Sequence, residues 1–118
     1  MQLVLEKIKE KLEEIDSNTF YGIVDNKMKD MQWDYIVFDR KRLSTNSNKS
    51  GYTYTYNVHI VRENFIPEGL EIEVINKMEE IAGIRFSGND GEYNYDLKPN
   101  TNKVVEILTL EFVKAVKV

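Results

Sequence analysis

Apolar residues recur at three- and four-residue spacing in two separate stretches of the chain, a period typical of amphipathic helices. The apolar positions of the first stretch are Leu5, Ile8, Leu12 and Ile15. Those of the second stretch are Leu70, Val74, Met78 and Ile81. We therefore predict one helix over about residues 2–15 and another over about 67–82, where Pro67 suits a first helical turn and Gly83 a C-terminal stop.

Alternation of side chains, the period of a strand, is clearest between residues 52 and 62. One face of this strand would carry Tyr52, Tyr54, Tyr56, Val58 and Ile60, and the other Thr53, Thr55, Asn57 and His59. Further strands are predicted at 20–24, 33–39, 84–86, 92–95 and 103–118, with 84–86 and 92–95 forming a hairpin around the turn residues of 88–91. This order predicts a single domain over residues 1–118 with an α+β fold, an antiparallel or mixed β-sheet with two α-helices packed on one face.

The composition is that of an ordinary folded domain: 118 residues, 42% apolar and 31% charged. The chain has no cysteine and a single histidine, which excludes thiol catalysis, disulfides and metal sites built from cysteine or several histidines. Its net charge of −4 argues against a dedicated nucleic-acid binder. We find no signal peptide and no apolar run long enough to span a membrane, so we expect no membrane association and a cytoplasmic protein.

Candidate catalytic and metal-binding patterns do not hold together in the sequence. His59 lies in a strand with no nucleophile motif nearby, and we interpret it as a structural or surface residue. The oxygen ligands from Asp90 to Asp96 could suggest calcium, but the glycine and glutamate that an EF-hand loop requires are Tyr95 and Thr101 here. The glycines do not have phosphate-loop spacing. We therefore predict no enzyme, no catalytic residue, no cofactor and no metal.

A polar segment, Ser44–Gly51, and the adjoining basic residues Arg40–Arg42 are the most unusual local feature. The segment has no apolar side chain to bury, which predicts a mobile loop between two strands. Basic residues beside Tyr52, Tyr54 and Tyr56 could bind single-stranded nucleic acid. Given the acidic total charge, we favour the interpretation that the tyrosines form a sheet face packed on a helix.

Two long segments resemble a known family. They are YIVFDRK with the following YTYTYNVHIVRENFIPEGLEIEVINKMEEIAGIRF, and the closing EYNYDLKPNTNKVVEILTLEFVKAVK. Both are similar to tail terminator, or tail-to-head joining, proteins from tailed phages and prophages of Gram-positive bacteria, over roughly residues 20–117. The resemblance implies a structural protein with helices packed on a sheet and no catalytic residues.

On this resemblance the protein would cap the tail tube and join it to the head connector or stopper protein, as a ring of six copies through which DNA passes without specific binding. The state of the isolated protein is left open. The protein would reside in the host cytoplasm during assembly and then in the virion neck. Two alternatives remain at this point: a head-completion (stopper) protein of the same neck, and a small enzyme or nucleic-acid-binding domain.

If the chain forms such a ring, the polar loop and the basic cluster at its base are the candidate assembly contact, with a passive spacer as the alternative. The residues of this predicted interface are Arg40, Lys41, Arg42, Ser44, Asn46, Asn48 and Lys49.

Overall fold

In the computed structural model the described residues, 2–25, 28, 31–45 and 50–117, form two helices and six strands. The helices are α1 (Val4–Glu13) and α2 (Leu70–Glu79). The strands are β1 (Thr19–Tyr21), β2 (Tyr35–Thr45), β3 (Gly51–Glu63), β4 (Ile84–Phe86), β5 (Glu92–Leu97) and β6 (Val104–Lys117).

All six strands belong to one mixed sheet. Its order is β1-β2-β3-β6, and β4 and β5 both pair with the remaining edge of β6. Only β1 and β2 are parallel, and the other pairs are antiparallel. The predicted α+β class with a mixed sheet is therefore confirmed.

Both helices pack on one face of this sheet, as the apolar periodicity predicts. Ile8 and Leu12 of α1 and Val74 and Met78 of α2 are fully buried. On the sheet side of this core, the strand register aligns apolar residues of β2, β3 and β6 in rows, such as Ile36, Ile60 and Leu108. Because alternate residues of a strand face the same side, the rows form one continuous apolar surface under the helices. We call this side of the sheet the helix face.

The opposite side of the sheet is apolar at one end and polar at the other. At the apolar end Met28 covers Val61 and Val105. The Trp33 indole N–H donates a hydrogen bond of 2.8 Å to the Met28 carbonyl oxygen. At the other end the face carries Asp39, His59 and further polar side chains. We call this end the polar face. No helix among the described residues is long and apolar enough to cross a membrane.

Three predicted elements differ from the structure. The hairpin of 84–86 with 92–95 does not form, because β4 and β5 pair with successive parts of β6 and not with each other. Helix α2 begins at Leu70, because Gly69 has a φ of 96° and interrupts the helical backbone. Strand β2 continues past the predicted end at Asp39 as far as Thr45, because β3 offers partners along this whole stretch, ending with Tyr52 opposite Thr45.

Candidate assembly surface

The basic cluster lies on β2 at a β-bulge. Arg40 is opposite Tyr56 and Arg42 is opposite Thr55, which leaves Lys41 as an extra residue in the ladder. Arg40 stays on the helix face, where its Nε donates to the Tyr21 hydroxyl at 3.0 Å. Lys41 and Arg42 instead reach the polar face. The bulge thus divides three consecutive cations between the two sides of the sheet.

Glu111 on β6 binds both polar-face cations of the cluster. Its carboxylate accepts hydrogen bonds from Lys41 Nζ at 2.7 Å and Arg42 Nη2 at 3.3 Å, and a further bond from the Asn89 amide. The bond from Lys41, reinforced by those from Ser87 and Asn89, lowers the pKa of Glu111 to about 2 against the opposing effect of burial. One of the three positive charges of the basic cluster is therefore balanced within the chain.

The polar loop is shorter than predicted. Ser44 and Thr45 lie in β2, opposite Thr53 and Tyr52, and β3 begins at Gly51. A side chain at Gly51 would place its Cβ 2.2 Å from the carbonyl oxygen of Val116, so glycine permits the close approach of β3 and β6 here. Of the predicted interface residues, Asn46, Asn48 and Lys49 lie outside the described residues.

His59, which we interpreted as a structural or surface residue, bridges two neighbouring strands. Its Nε2 lies 2.9 Å from the Asp39 carboxylate on β2, and its Nδ1 lies 2.9 Å from the Thr109 hydroxyl on β6. The three side chains form one row across β2, β3 and β6. Sequence reasoning missed the row because its members lie 20 and 50 positions from His59.

The order carboxylate, imidazole and hydroxyl also occurs in hydrolases that use a serine or threonine nucleophile. Such chemistry needs backbone or side-chain donors aimed at a developing oxyanion. Thr109, however, lies in the interior of the sheet, paired with His59 on one side and Glu92 on the other. The backbone N–H groups around it are therefore engaged in pairing between strands and do not point at a developing oxyanion. The geometry favours a hydrogen-bonded crosslink between strands.

A shallow pocket of about 340 Å³ lies beside this row. Its lining residues are Lys41, Asn57, Asn89, Asp90, Glu92, Thr109 and Glu111. Glu92, from the calcium-like pattern of the sequence, lines this pocket, with Asp90 from the preceding loop. Within the part of the chain that is described, no three carboxylate or histidine groups converge in a way that could hold a metal ion.

The tyrosines of β3 serve mainly as packing residues. Tyr56 is buried, Tyr54 packs against the core at its margin, and the two rings stack with centroids 6.4 Å apart. Only Tyr52 is largely exposed. Stacking of nucleic-acid bases needs exposed rings, so the sheet-face interpretation of these tyrosines fits the structure better.

An exposed aromatic and acidic surface lies at the opposite edge of the sheet, on β5. Tyr93, Tyr95 and Leu97 are 49%, 63% and 57% exposed on the helix face, and the Tyr95 hydroxyl donates to Glu106 at 2.8 Å. Phe65, 69% exposed, lies beside them in a groove of about 420 Å³ that also contains Glu68 and Glu71. The signal for this surface, alternation of acidic or amide residues with tyrosine, is visible in residues 92–96, but the sequence alone does not indicate that they form an edge.

The sequence matches no model of a known protein family and no curated protein sequence.

Proposed function

We propose that this chain is a structural neck protein of a tailed phage or prophage, a tail terminator that caps the tail tube and joins it to the head connector as a ring of copies. The structural observation that carries the proposal is a sheet with two open edges. It adds to the resemblance of residues 20–117 to that family.

An uncovered sheet edge presents unpaired backbone N–H and C=O groups that can pair with another chain, and native proteins usually shorten, charge, twist or cover such an edge. Among the described residues, β5 pairs with β6 alone, so its other edge has no strand partner, and only the Leu97 N–H at its end is bonded to a side chain, that of Asp96. On the far side of the sheet, β1 covers β2 only from Ile36 to Phe38. From Asp39 to Thr45, no strand of the described part of the chain pairs with the outer edge of β2. One subunit thus presents two surfaces suited to neighbours.

The polar side chains around His59 and Glu111 are engaged with one another, which supports a structural role. His59 is held between Asp39 and Thr109, and Glu111 is held by Lys41 and Arg42. Residues in such networks fix strands to each other. Exposed apolar side chains occur at several places on the surface, including Leu3 and Ile23. One group, Phe65 with Tyr93 and Tyr95, lines a single groove beside β5, where a partner would cover it.

The charge distribution suits a ring through which DNA passes. Each copy has a net charge of −4, and Glu111 neutralises part of the one basic cluster of the sequence. An acidic ring repels the DNA phosphates and weakens their adhesion to its wall. A nucleic-acid-binding domain would need the opposite balance.

The proposal is tested with tails from a phage that lacks this protein. Purified protein carrying an N-terminal label is added to isolated tails, and its position is determined by negative-stain electron microscopy. We expect the label at the head-proximal end of the tail tube and nowhere along its length. Tails that receive no protein provide the control.

The same material separates the two alternatives. Binding to the connector of isolated heads, and not to tails, would assign the chain to the stopper proteins of the neck. Measurable affinity for DNA that falls steeply with salt concentration would support a nucleic-acid-binding domain in place of a neck protein.

A further inference from the structure

We propose that copies of this chain join head to tail, with β5 of one copy pairing antiparallel with the free Asp39–Thr45 stretch of β2 in the next. This inference rests on the proposed ring-forming function, and it names the two surfaces that would build the ring.

Backbone groups of both strands point toward their free edges. On β2, the Ile36 N–H donates to the Asn18 carbonyl and the Phe38 carbonyl accepts from the Gly22 N–H. Alternate residues therefore face this edge, and Arg40 is the next in that alternation. The Arg40 backbone lies beyond the end of β1, and no described strand pairs with it on this edge, where a strand of a neighbouring copy would bind.

On β5 the alternation is fixed in the same way. The Lys98 N–H donates to the Lys103 carbonyl, in continuation of the ladder with β6, so even-numbered residues of β5 face β6. Tyr93 and Tyr95 consequently direct their backbone groups to the free edge. The N–H of Leu97 is already bonded to the Asp96 side chain, which ends the open stretch.

Strand direction makes the junction antiparallel. Since β2–β3, β3–β6 and β6–β5 are all antiparallel pairs, β5 runs opposite to β2 within one copy. Copies related by rotation about an axis close to the strand direction retain this relation. The β5 strand of one copy then meets the β2 strand of the next in antiparallel orientation, with helix face beside helix face.

Side chains on the two edges complement each other on the polar face. On this side of the sheet β5 presents Glu92 within the polar face and Asp96 beyond it, opposite Val105, and the free stretch of β2 presents Lys41 and Arg42. Both cations bond to Glu111 of their own copy, but an ammonium has three donors and a guanidinium five. Each can therefore bond a carboxylate of the neighbour without releasing Glu111.

The helix face shows apolar and aromatic complementarity. Here β5 presents Tyr93, Tyr95 and Leu97, while β2 presents Arg40 and the 57% exposed Leu43, which lies opposite Tyr54. Leucine against tyrosine buries apolar area, and an arginine over a tyrosine ring adds a cation–π contact.

Symmetric pairing of like edges is disfavoured by the same charges. Two β5 strands would collect four carboxylates at one junction, and two β2 stretches would collect six cations. The contact is therefore heterologous, a type that closes into a ring or continues as an open spiral.

Register also sets an offset between neighbouring copies. Following the register from strand to strand within one copy, Asn94 of β5 pairs with Ile107, Ile107 with Val61, and Val61 with Tyr35 of β2. Asn94 is therefore level with Tyr35, whereas the centre of the free stretch of β2 is Arg42. Joining the two edges displaces each copy by about six residues, roughly 20 Å along the strands. A ring of this kind closes when the strands tilt relative to the ring axis, as they do in β-barrels.

The contact is tested by crosslinking, because the chain has no cysteine of its own. Leu43→Cys and Tyr95→Cys are prepared as separate proteins, each carrying a different tag, and are mixed with a short bis-maleimide. We expect the crosslinked product to be mainly the mixed dimer of one copy of each. A double variant with both cysteines should give a ladder of higher oligomers. Glu10→Cys on the exposed side of α1 replaces Leu43→Cys in the control mixture.

Charge reversal gives an independent arm. The double substitution Glu92→Lys and Asp96→Lys is introduced into the Tyr95→Cys protein. It should reduce the yield of mixed dimer at least fivefold. For the Leu43→Cys and Tyr95→Cys pair without these substitutions, 0.5 M salt should also reduce the yield. Circular dichroism of each variant verifies that it is folded. Equal yields in the α1 control, or a preference of Tyr95→Cys for itself, would overturn the proposed contact. So would the absence of crosslinked product at millimolar protein, which would assign to the bulge and its cations the role of keeping β2 unpaired.

These results are distinguishable from failure of the proposed function. If the copies crosslink through β5 and β2 but the protein does not bind phage tails, the proposed contact stands and the neck function is rejected. Binding to tails without this crosslink would retain the neck role and reject the contact.

Discussion

The Lys41 ammonium lies 2.7 Å from the Glu111 carboxylate, although 70 positions separate the two residues in the sequence. Strand β3 lies between the strands that carry them. The ion pair thus spans the central strand of the sheet on the polar face, and the Glu111 side chain is largely buried while the Lys41 side chain is 43% exposed.

Glu111→Gln should lower the free energy of unfolding by about 1–2 kcal/mol, because it replaces charged hydrogen bonds from Lys41 and Arg42 with weaker ones. Urea denaturation followed by circular dichroism measures the difference. Glu92→Gln, which changes an exposed carboxylate on the adjoining strand, is the matched control and should change stability by less than about 0.5 kcal/mol. Equal effects of the two substitutions would contradict a special role for Glu111.

The same pair predicts a pH dependence. The pKa of Glu111 is lowered in the folded protein to about 2 from its ordinary value of 4.5, so its contribution to stability is complete above pH 4.5 and is lost as the pH falls toward 2. The difference in unfolding free energy between the native chain and Glu111→Gln should stay constant from neutral pH to about 4.5 and shrink below it. Glu14, Glu63 and Glu80, whose pKa values are also lowered, are present in both proteins and cancel in the difference. A difference that grows on acidification would refute the assignment.

His59→Ala should cost about 1–2 kcal/mol of stability, because it removes the bridge between Asp39 and Thr109. We expect the variant to complete tails as well as the native protein does. A double-mutant cycle with Thr109→Val measures whether the two side chains are coupled. Complete loss of phage viability with an unchanged melting temperature would show that His59 has a functional role that the crosslink does not explain.

Met78→Ala and Leu110→Ala should each destabilise the protein by about 2–5 kcal/mol, because both side chains fill the core between α2 and the sheet. Thermal and urea unfolding provide the measurement. Ile72→Ala is the control on α2, since Ile72 is 54% exposed and its truncation should cost less than about 1 kcal/mol. Unchanged denaturation midpoints for Met78→Ala would contradict the placement of α2.

Local patterns in the sequence predicted the parts of the fold that depend on one element at a time. The spacing of Ile8 and Leu12, or of Val74 and Met78, identifies a helix and the side that it buries. Alternation along residues 52–62 identifies β3 and the side of it that packs on the helices.

Pairing between distant strands could not be predicted in this way. Gly88–Gly91 has the residues of a tight turn, but the strands on either side gain more by pairing with β6, which offers one continuous edge of 14 residues. The partners of His59 and Glu111 depend on the same long-range register. Three adjacent cations indicated one basic patch, and nothing local in Arg40–Arg42 marks the bulge that separates them.

The bulge at Lys41 determines where β2 can lose one residue without disturbing the sheet. Removing one residue from a regular strand turns every later side chain of that strand to the opposite face. Removing Lys41 does not, because it is the extra residue in the ladder, and Leu43 would remain on the helix face opposite Tyr54. Lys41 is thus a position in β2 where a deletion of one codon would preserve both faces of the sheet, and natural variants of this protein that differ in length within β2 should differ there.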